Sequence, residues 1–330
     1  MKTERRMRKA LTLYDDPGGV FDIRREIAKR CMERMAGIAP EDVVMTNGCL
    51  EAIHLCLRSV ANPGDAIALE SPAFFGLFQL LRGLGMKAVE IPTDPQTGID
   101  LDSLCRVIRE HPIRACLLSA NFQNPLGYEM PSEKRKAMVQ CLAKKGVPIV
   151  ENDVFGELYF TDNPPGSLKA HDENGLVLYC SSFSKCLAPG LRVGWTLPGV
   201  YRKGVEGLKL GTYMSSASLN QWVIAEYMKS GSYARHLRKL RNRLRNQAGT
   251  LRMTVARGFP VGTEISMPRG GLSLWVRLGG GVKGVDLFRA ALREGISILP
   301  GEVFSDAGSF EDCIRLAHAQ PWTGEIENGV

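Results

Sequence analysis

Short apolar runs and amphipathic stretches follow one another along this chain of 330 residues. Apolar runs bounded by Gly, Pro, Asn or Asp are typical of buried strands, and apolar residues spaced three or four positions apart are typical of helices. The pattern predicts strands at 42–46, 66–70, 85–92, 115–119, 147–151, 175–180, 271–278, 294–300 and 313–317, and helices at 22–35, from 47–49 to about 60, at 101–110, within 232–258 and from about 324.

Composition narrows the class of protein. The chain is 44% hydrophobic and 23% charged, as is usual for globular proteins, and no apolar stretch approaches the roughly 18 residues of a membrane span. Its first residues, MKTERRMRKALTLYDD, lack the apolar core of a secretory signal. Nine irregularly spaced cysteines without a C-x-x-C pair argue against a disulfide framework or a zinc ribbon. We therefore expect a cytoplasmic protein with reduced thiols, no bound metal and no membrane partner.

The formal net charge is +7, and much of the excess lies in one predicted helix, 232–258. Leu237, Leu240 and Leu244 recur at helical spacing, while arginines and lysines occupy the positions between them. This pattern predicts an amphipathic helix with a solvated basic face. We do not expect a nucleic-acid partner.

The segment with the most chemistry follows the apolar strand 175–180. Ser182, Lys185 and Arg192 lie there within one predicted loop. A lysine on such a turn among apolar neighbours is partly desolvated, which frees its amine to attack a carbonyl group. A hydroxyl and a planar guanidinium suit a phosphate dianion. Together these groups indicate pyridoxal 5′-phosphate held on Lys185.

Two other motifs in the sequence would indicate different classes of protein, but neither has the sequence context that it requires. The sequence Ser182-Phe183-Ser184-Lys185 matches the S-x-x-K motif of serine β-lactamases, but the S-D-N and K-T-G motifs that those enzymes also need are absent. Residues 279–284 satisfy G-x-G-x-x-G before a helix. The strand before them alternates in polarity, and too little chain follows to complete a dinucleotide-binding domain.

The segment SFSKCLAPGLRVGW resembles the Schiff-base lysine segment of fold-type I, class I/II aminotransferases that depend on pyridoxal phosphate. It is most similar to the branch that includes the aminotransferase-like domains of MocR-type regulators and the 2-aminoadipate and kynurenine aminotransferases. The resemblance implies an α/β fold with a large domain, 15–230, around a mainly parallel sheet. It also implies a smaller α+β domain, 231–330 with 1–14. Relatives carry more residues at both ends, so we expect a truncated protein.

The resemblance also implies a phosphate site. Ser182 and Arg192 contribute to it, together with the turn Gly48-Cys49-Leu50 at the start of a predicted helix. Backbone N–H groups at a helix start favour anions. Relatives usually carry Ser or Thr where this chain has Cys49, which leaves only the backbone donors. Taken alone, the same turn also fits an ordinary helix cap.

Four residues lie at positions where the family contacts the cofactor ring, and Phe155 departs from the usual residue. Phe74 stacks on the ring, and Asn124, in an Asn-Pro-x-Gly loop, donates to its 3′-oxygen. Asp153 matches the carboxylate that keeps the ring nitrogen protonated. Phe155 replaces a tyrosine that often donates to the 3′-oxygen, and phenylalanine cannot donate. From the residues alone, Phe74 also fits a core position and Asn124 a common turn.

The resemblance also implies residues that bind the substrate and residues that form the dimer. Arg315, in the predicted strand C-I-R-L-A, matches the arginine that binds the substrate α-carboxylate with Asn124. Tyr14 matches a tyrosine that reaches the cofactor phosphate of the partner subunit, which implies a homodimer. Taken alone, Tyr14 is equally a structural aromatic in a loop.

The implied reaction is amino-group transfer between an α-amino acid and a 2-oxo acid, with Lys185 and Asp153 as the catalytic residues. Two alternatives stay open. The chain could be the sensor domain of a MocR-type regulator without its helix-turn-helix module, or a carbon–sulfur lyase that uses the same lysine.

Overall fold

Two β-sheets organise residues 12–329, which the computed structural model describes. The larger sheet contains β1 (Val44–Thr46), β2 (Ala66–Ser71), β3 (Lys87–Asp94), β4 (Gly98–Ile99), β5 (Ile113–Leu118), β6 (Ile149–Asn152), β7 (Val177–Ser182) and β8 (Gly194–Leu197). Its spatial order is β1-β8-β7-β6-β5-β2-β3-β4. The run from β7 through β6, β5 and β2 to β3 is parallel, and β1, β8 and β4 pair antiparallel with their neighbours.

In the described part of the chain, helix α1 (Phe21–Cys31) precedes β1, and four helices lie between successive strands of the larger sheet: α2 (Cys49–Val60), α3 (Phe75–Gly83), α4 (Leu101–Glu110) and α5 (Ser132–Lys144). The helices after β8 are α6 (Arg202–Tyr213), α7 (Ser218–Lys229), α8 (Ser232–Gly258), α9 (Gly284–Arg293) and α10 (Gly324–Gly329). Short 3-10 turns occur at Pro40–Asp42, Lys169–His171, Pro189–Leu191, Gly199–Tyr201 and Gly301–Phe304. The α/β fold with a mainly parallel large sheet is confirmed.

Apolar side chains cover both faces of the parallel strands. On one face, Ile53 and Leu57 of α2 are fully buried against Leu69, Leu117 and the other residues of one core cluster. On the opposite face, Leu104 of α4 and Met138 of α5 pack in a second cluster. The sheet is thereby buried on both sides, as a parallel sheet requires.

The smaller sheet is antiparallel, in the order β11-β12-β10-β9. Its strands are β9 (Glu264–Ile265), β10 (Ser273–Arg277), β11 (Leu299–Pro300) and β12 (Cys313–Ala317). Four of the five residues of β10 are buried, because Trp275 packs in the second cluster of the larger sheet while Leu274 and Val276 pack within the smaller one. An antiparallel strand before Gly279 agrees with rejecting the dinucleotide-binding motif.

The long helix α8 packs against both parts of the fold. Tyr233, Leu237 and Leu244 lie in a core cluster on the large sheet, and Leu251 and Val255 lie in the cluster of the smaller sheet. The amphipathic pattern is therefore as predicted.

The basic face predicted on α8 is exposed at most of its arginines and lysines, and Arg241 is an exception. Arg241 pairs with Glu157 at 2.8 Å, and its guanidinium lies 3.6 Å from the centre of the Tyr159 ring. Part of the charge on α8 thus belongs to its packing against the rest of the fold.

Most predicted strands differ from the observed ones by one or two residues at their ends, and two elements differ by more. The first helix ends at Cys31 instead of 35. The predicted strand 294–300 is reduced to Leu299–Pro300, because α9 continues to Arg293 and a turn at Gly295, with φ +79°, follows it.

Candidate active site

A cavity of about 370 Å³ opens at the carboxyl ends of the parallel strands. Glu70, Ser119, Asn152 and Ser182 line it, and they lie at or just after the ends of β2, β5, β6 and β7. This edge is where open α/β sheets place their ligands.

The cavity gathers most of the site residues predicted from sequence, although they are scattered over more than 260 positions of the chain. Twelve residues were predicted, and nine of them line the cavity. The nine are Cys49, Leu50, Phe74, Asn124, Phe155, Ser182, Lys185, Arg192 and Arg315.

One corner of the cavity is built to receive an anion. Gly48 is the N-cap of α2, with φ +104°, and no side chain caps the first turn of the helix. A Cβ atom at Gly48 would lie 2.5 Å from Nη2 of Arg192, which donates a hydrogen bond to the Asn47 carbonyl at 2.7 Å. The glycine therefore lets a guanidinium lie directly beside the free N–H groups of a helix start.

Lys185 follows β7 and lies at the cavity, where its side chain is exposed. The prediction that apolar neighbours partly desolvate this lysine is therefore wrong for the structure described. Lys185 faces the open cavity instead of the core, so its amine is accessible to a ligand.

Arg315 is a third cationic side chain that lines the cavity. Its Nη1 donates to Oδ1 of Asn124 at 3.3 Å, while its Nε is buried without a hydrogen-bond partner. Partial burial lowers the pKa of this guanidinium. No carboxylate among residues 12–329 lies within ion-pair distance of Arg315, so the side chain is available to an anionic ligand.

The structure contradicts the predicted position of Asp153. Its side chain is fully buried, and its carboxylate pairs with Nη1 of Arg34 at 2.6 Å. It also accepts hydrogen bonds from the Tyr179 hydroxyl at 2.7 Å and from Nδ2 of Asn121 at 3.0 Å. Successive residues of an extended chain point in opposite directions, so the neighbour Asn152 lines the cavity and Asp153 does not.

Glu70 is a second cavity residue that sequence analysis missed. Its carboxyl group accepts hydrogen bonds from the Tyr128 hydroxyl and, at 3.0 Å, from the backbone N–H of Ser119. Burial raises the pKa of Glu70 to about 8. The local sequence, an acidic residue after apolar residues at the end of a strand, gives no signal that this carboxyl group is buried beside the cavity.

Two further predicted residues do not line the cavity. Gly48 lies behind Arg192 at the anion corner, as described above. Tyr14 is 78% exposed and therefore makes little contact within its own chain.

No helix in the part of the chain that the structure describes is both long enough and apolar enough to cross a membrane.

Comparisons with known proteins agree with this geometry. The chain is 35% identical over 308 residues to YjiR, an uncharacterized HTH-type transcriptional regulator of Escherichia coli, covering 93% of this chain and 66% of the regulator. It is 33% identical over 299 residues to the 2-aminoadipate transaminase of Thermus thermophilus, covering 89% and 75% of the two chains. The crystal structure of Pyrococcus horikoshii kynurenine aminotransferase, in complex with PMP, superposes with a TM-score of 0.90 at 28% identity, covering 99% of this chain and 82% of that one.

The sequence pattern of one protein family, Aminotransferase class I and II, matches residues 1–330. The match spans the two sheets, the cavity and the lysine segment alike. The chain belongs to the class I and II aminotransferase family and has its fold-type I architecture.

Proposed function

We propose that this chain is a transaminase, which moves an amino group between an α-amino acid and a 2-oxo acid. One observation carries the proposal: a single cavity holds the accessible amine of Lys185, the anion corner at Arg192 and the cation of Arg315. Such a cavity provides separate groups for a covalent link, a phosphate and a substrate carboxylate. The similarity to two aminotransferases supports the same conclusion.

The residues present fit pyridoxal 5′-phosphate, which is the cofactor. The glycine at the anion corner leaves room for Arg192 beside the start of α2, and this donor set suits a phosphate dianion. When bound, the cofactor supplies an aldehyde that takes up amino groups and a ring that withdraws electrons. We assign phosphate contacts to Gly48, Cys49, Leu50, Ser182 and Arg192, ring contacts to Phe74, Asn124 and Phe155, and the covalent link to Lys185.

The chain's own groups would handle the substrate as follows. Arg315, steadied by Asn124, binds the α-carboxylate of the amino acid in a forked pair. The substrate amine would take the place of Lys185 in the covalent link, which frees the amine of Lys185. The contact with Arg315 orients the α-hydrogen toward that amine, which removes the proton as a general base and later returns one as a general acid. The first oxo acid leaves before the second binds, which gives ping-pong kinetics.

Assembly and location are part of the same proposal. The chain forms a homodimer in which Tyr14, exposed on its own subunit, completes the phosphate site of the partner. The two domains are 15–230 and 231–330 with 1–14, joined through α8, whose two ends pack on different sheets. Nine free cysteines support a location in the reducing cytoplasm.

A second candidate function is ligand sensing in a transcriptional regulator. The observation that favours it is the 35% identity to an HTH-type regulator, of which this chain covers 66%. In that case the same cavity would bind cofactor and amino acid without releasing an oxo acid.

A product assay separates these functions. The protein with added cofactor is mixed with single amino acids, including 2-aminoadipate and kynurenine, and with pyruvate as the acceptor. A transaminase yields alanine and the matching oxo acid, with parallel double-reciprocal plots, and Lys185→Ala abolishes both products. Binding without products in the whole panel would favour sensing, and release of ammonia and pyruvate from cysteine without an acceptor would identify a lyase.

A further inference from the structure

The end of β6 offers the cavity an amide where the sequence predicted a carboxylate. Asn152 is the last residue of β6, is only half-buried and lines the cavity. The thiol of Cys49 donates to its Oδ1 at 3.4 Å. This contact occupies the oxygen of the amide, so Nδ2 is the end that remains to donate to a ligand.

Asp153 cannot take the place of Asn152 without dismantling its surroundings. Arg34, Tyr179 and Asn121 all bind its carboxylate, and its side chain has no exposed surface. Removing one partner from such a buried pair strongly destabilises a fold, because it leaves the other charge buried and uncompensated. The carboxylate is therefore fixed on the side of the strand away from the cavity.

No other acid in the described part of the chain replaces it. Glu70 is the one carboxyl group among the cavity residues, and its two oxygens are taken by Tyr128 and by the backbone of Ser119. The other charged groups that line the cavity are cations, Lys185, Arg192 and Arg315. Nearby positive charge disfavours protonation of a ring nitrogen, whereas a carboxylate beside the nitrogen would favour it.

We propose that this site holds pyridoxal 5′-phosphate with its ring nitrogen unprotonated, and that Asn152 donates to that nitrogen from Nδ2. This inference rests on the proposed cofactor and refines how it is used. An unprotonated ring withdraws electrons less strongly than a protonated one. The negative charge that develops when Lys185 removes the substrate α-proton is then less stabilised, and this proton transfer becomes the slow step.

Nuclear magnetic resonance of the bound cofactor tests the inference directly. The protein is loaded with pyridoxal 5′-phosphate that carries ¹⁵N in the ring, and the ¹⁵N chemical shift is recorded across neutral pH. Wild type is expected to show the shift of an unprotonated pyridine, and Asn152→Asp the shift of a pyridinium. A pyridinium shift in the wild type would overturn the proposal, and this measurement needs no variant.

Two control variants separate Asn152 from its neighbour. In Asp153→Asn the ring shift is expected to stay where it is in the wild type, because that carboxylate faces away from the cavity. If Asp153→Asn does not fold, Tyr179→Phe removes one hydrogen bond from Asp153 and leaves the Arg34 pair in place. A ring signal that follows Asp153 or Tyr179 and ignores Asn152 would assign the nitrogen to Asp153.

Single-turnover kinetics give the second measurement. With an amino acid that reacts, Asn152→Asp is expected to remove the α-proton faster than the wild type, on the order of 10-fold or more. An α-deuterium isotope effect should be large in the wild type and smaller in the variant. Failure to bind the cofactor through Lys185 would defeat the proposed function itself, whereas a bound, protonated ring defeats this inference alone.

Discussion

Arg315→Leu is predicted to weaken substrate binding without weakening the fold. In the described structure this guanidinium has one long hydrogen bond, to Asn124 at 3.3 Å, and a buried Nε without a partner. The guanidinium also lies 5.7 Å from the centre of the Phe304 ring, which is a weak contact, so the substrate carboxylate is expected to be its strongest partner. Removal of the side chain takes away both charge-assisted hydrogen bonds to that carboxylate.

The size of the loss follows from those two bonds. A hydrogen bond to a charged group contributes about 1.5–3 kcal/mol, and a forked pair in a partly desolvated site loses about 3 kcal/mol when one partner is removed. At about 1.4 kcal/mol per factor of ten, kcat/KM for the amino acid should fall on the order of 100-fold. The free energy of unfolding should not fall by more than about 1 kcal/mol, because the substitution removes a buried donor that has no partner.

The assay combines stopped-flow half-reactions with urea unfolding. Arg277→Leu is the matched control, because it removes the same charge from the neighbouring strand β10 at a side chain that is 53% exposed and pairs with Asp312 at 3.5 Å. The control should keep its kcat/KM. Equal kcat/KM values for Arg315→Leu and the control, or a large loss of stability in Arg315→Leu, would refute the reasoning.

Three further substitutions test separate parts of the site. Gly48→Ala should weaken cofactor binding more than 10-fold, measured by fluorescence titration, because its Cβ would lie 2.5 Å from Arg192; Gly37→Ala, also at positive φ but with open space, should not. Phe155→Tyr should lower the pH midpoint of the cofactor's visible band, because a new hydroxyl can donate to the 3′-oxygen; an unchanged or higher midpoint contradicts this. Glu70→Gln should reduce the pH dependence of the free energy of unfolding of the cofactor-free protein. The folded pKa of Glu70, about 8, lies above its usual 4.5, so wild-type stability should fall as pH rises between these values and the variant's should not, as urea unfolding would show.

Sequence located the residues that belong to local motifs. Lys185 and Arg192 lie in one continuous segment, and the strand–glycine–helix junction at Gly48 has a distinct pattern, so each could be found without a structure. At the end of a strand, it is harder to infer from sequence which of two adjacent side chains points toward the cavity. Asn152 and Asp153 are adjacent polar residues, and only the positions of Arg34 and Tyr179 decide which one faces the cavity.

Long-range contacts explain the other differences. Arg34 follows α1, more than 100 positions before Asp153, and nothing in either local sequence announces their pairing. Arg241 was assigned to a solvated face because helical spacing alone cannot show that Glu157 packs against it. The predicted strand 294–300 was too long because the glycine turn that follows α9 occupies the first residues of that segment.

The most direct test of the account is the visible absorption spectrum of the purified protein with added pyridoxal 5′-phosphate, before and after an amino acid is supplied. We predict a band of lysine-bound cofactor that is absent in Lys185→Ala and that bleaches with at least one α-amino acid, while the matching oxo acid accumulates. A spectrum identical in wild type and Lys185→Ala would contradict the account, because the cavity would then not bind the cofactor through this lysine.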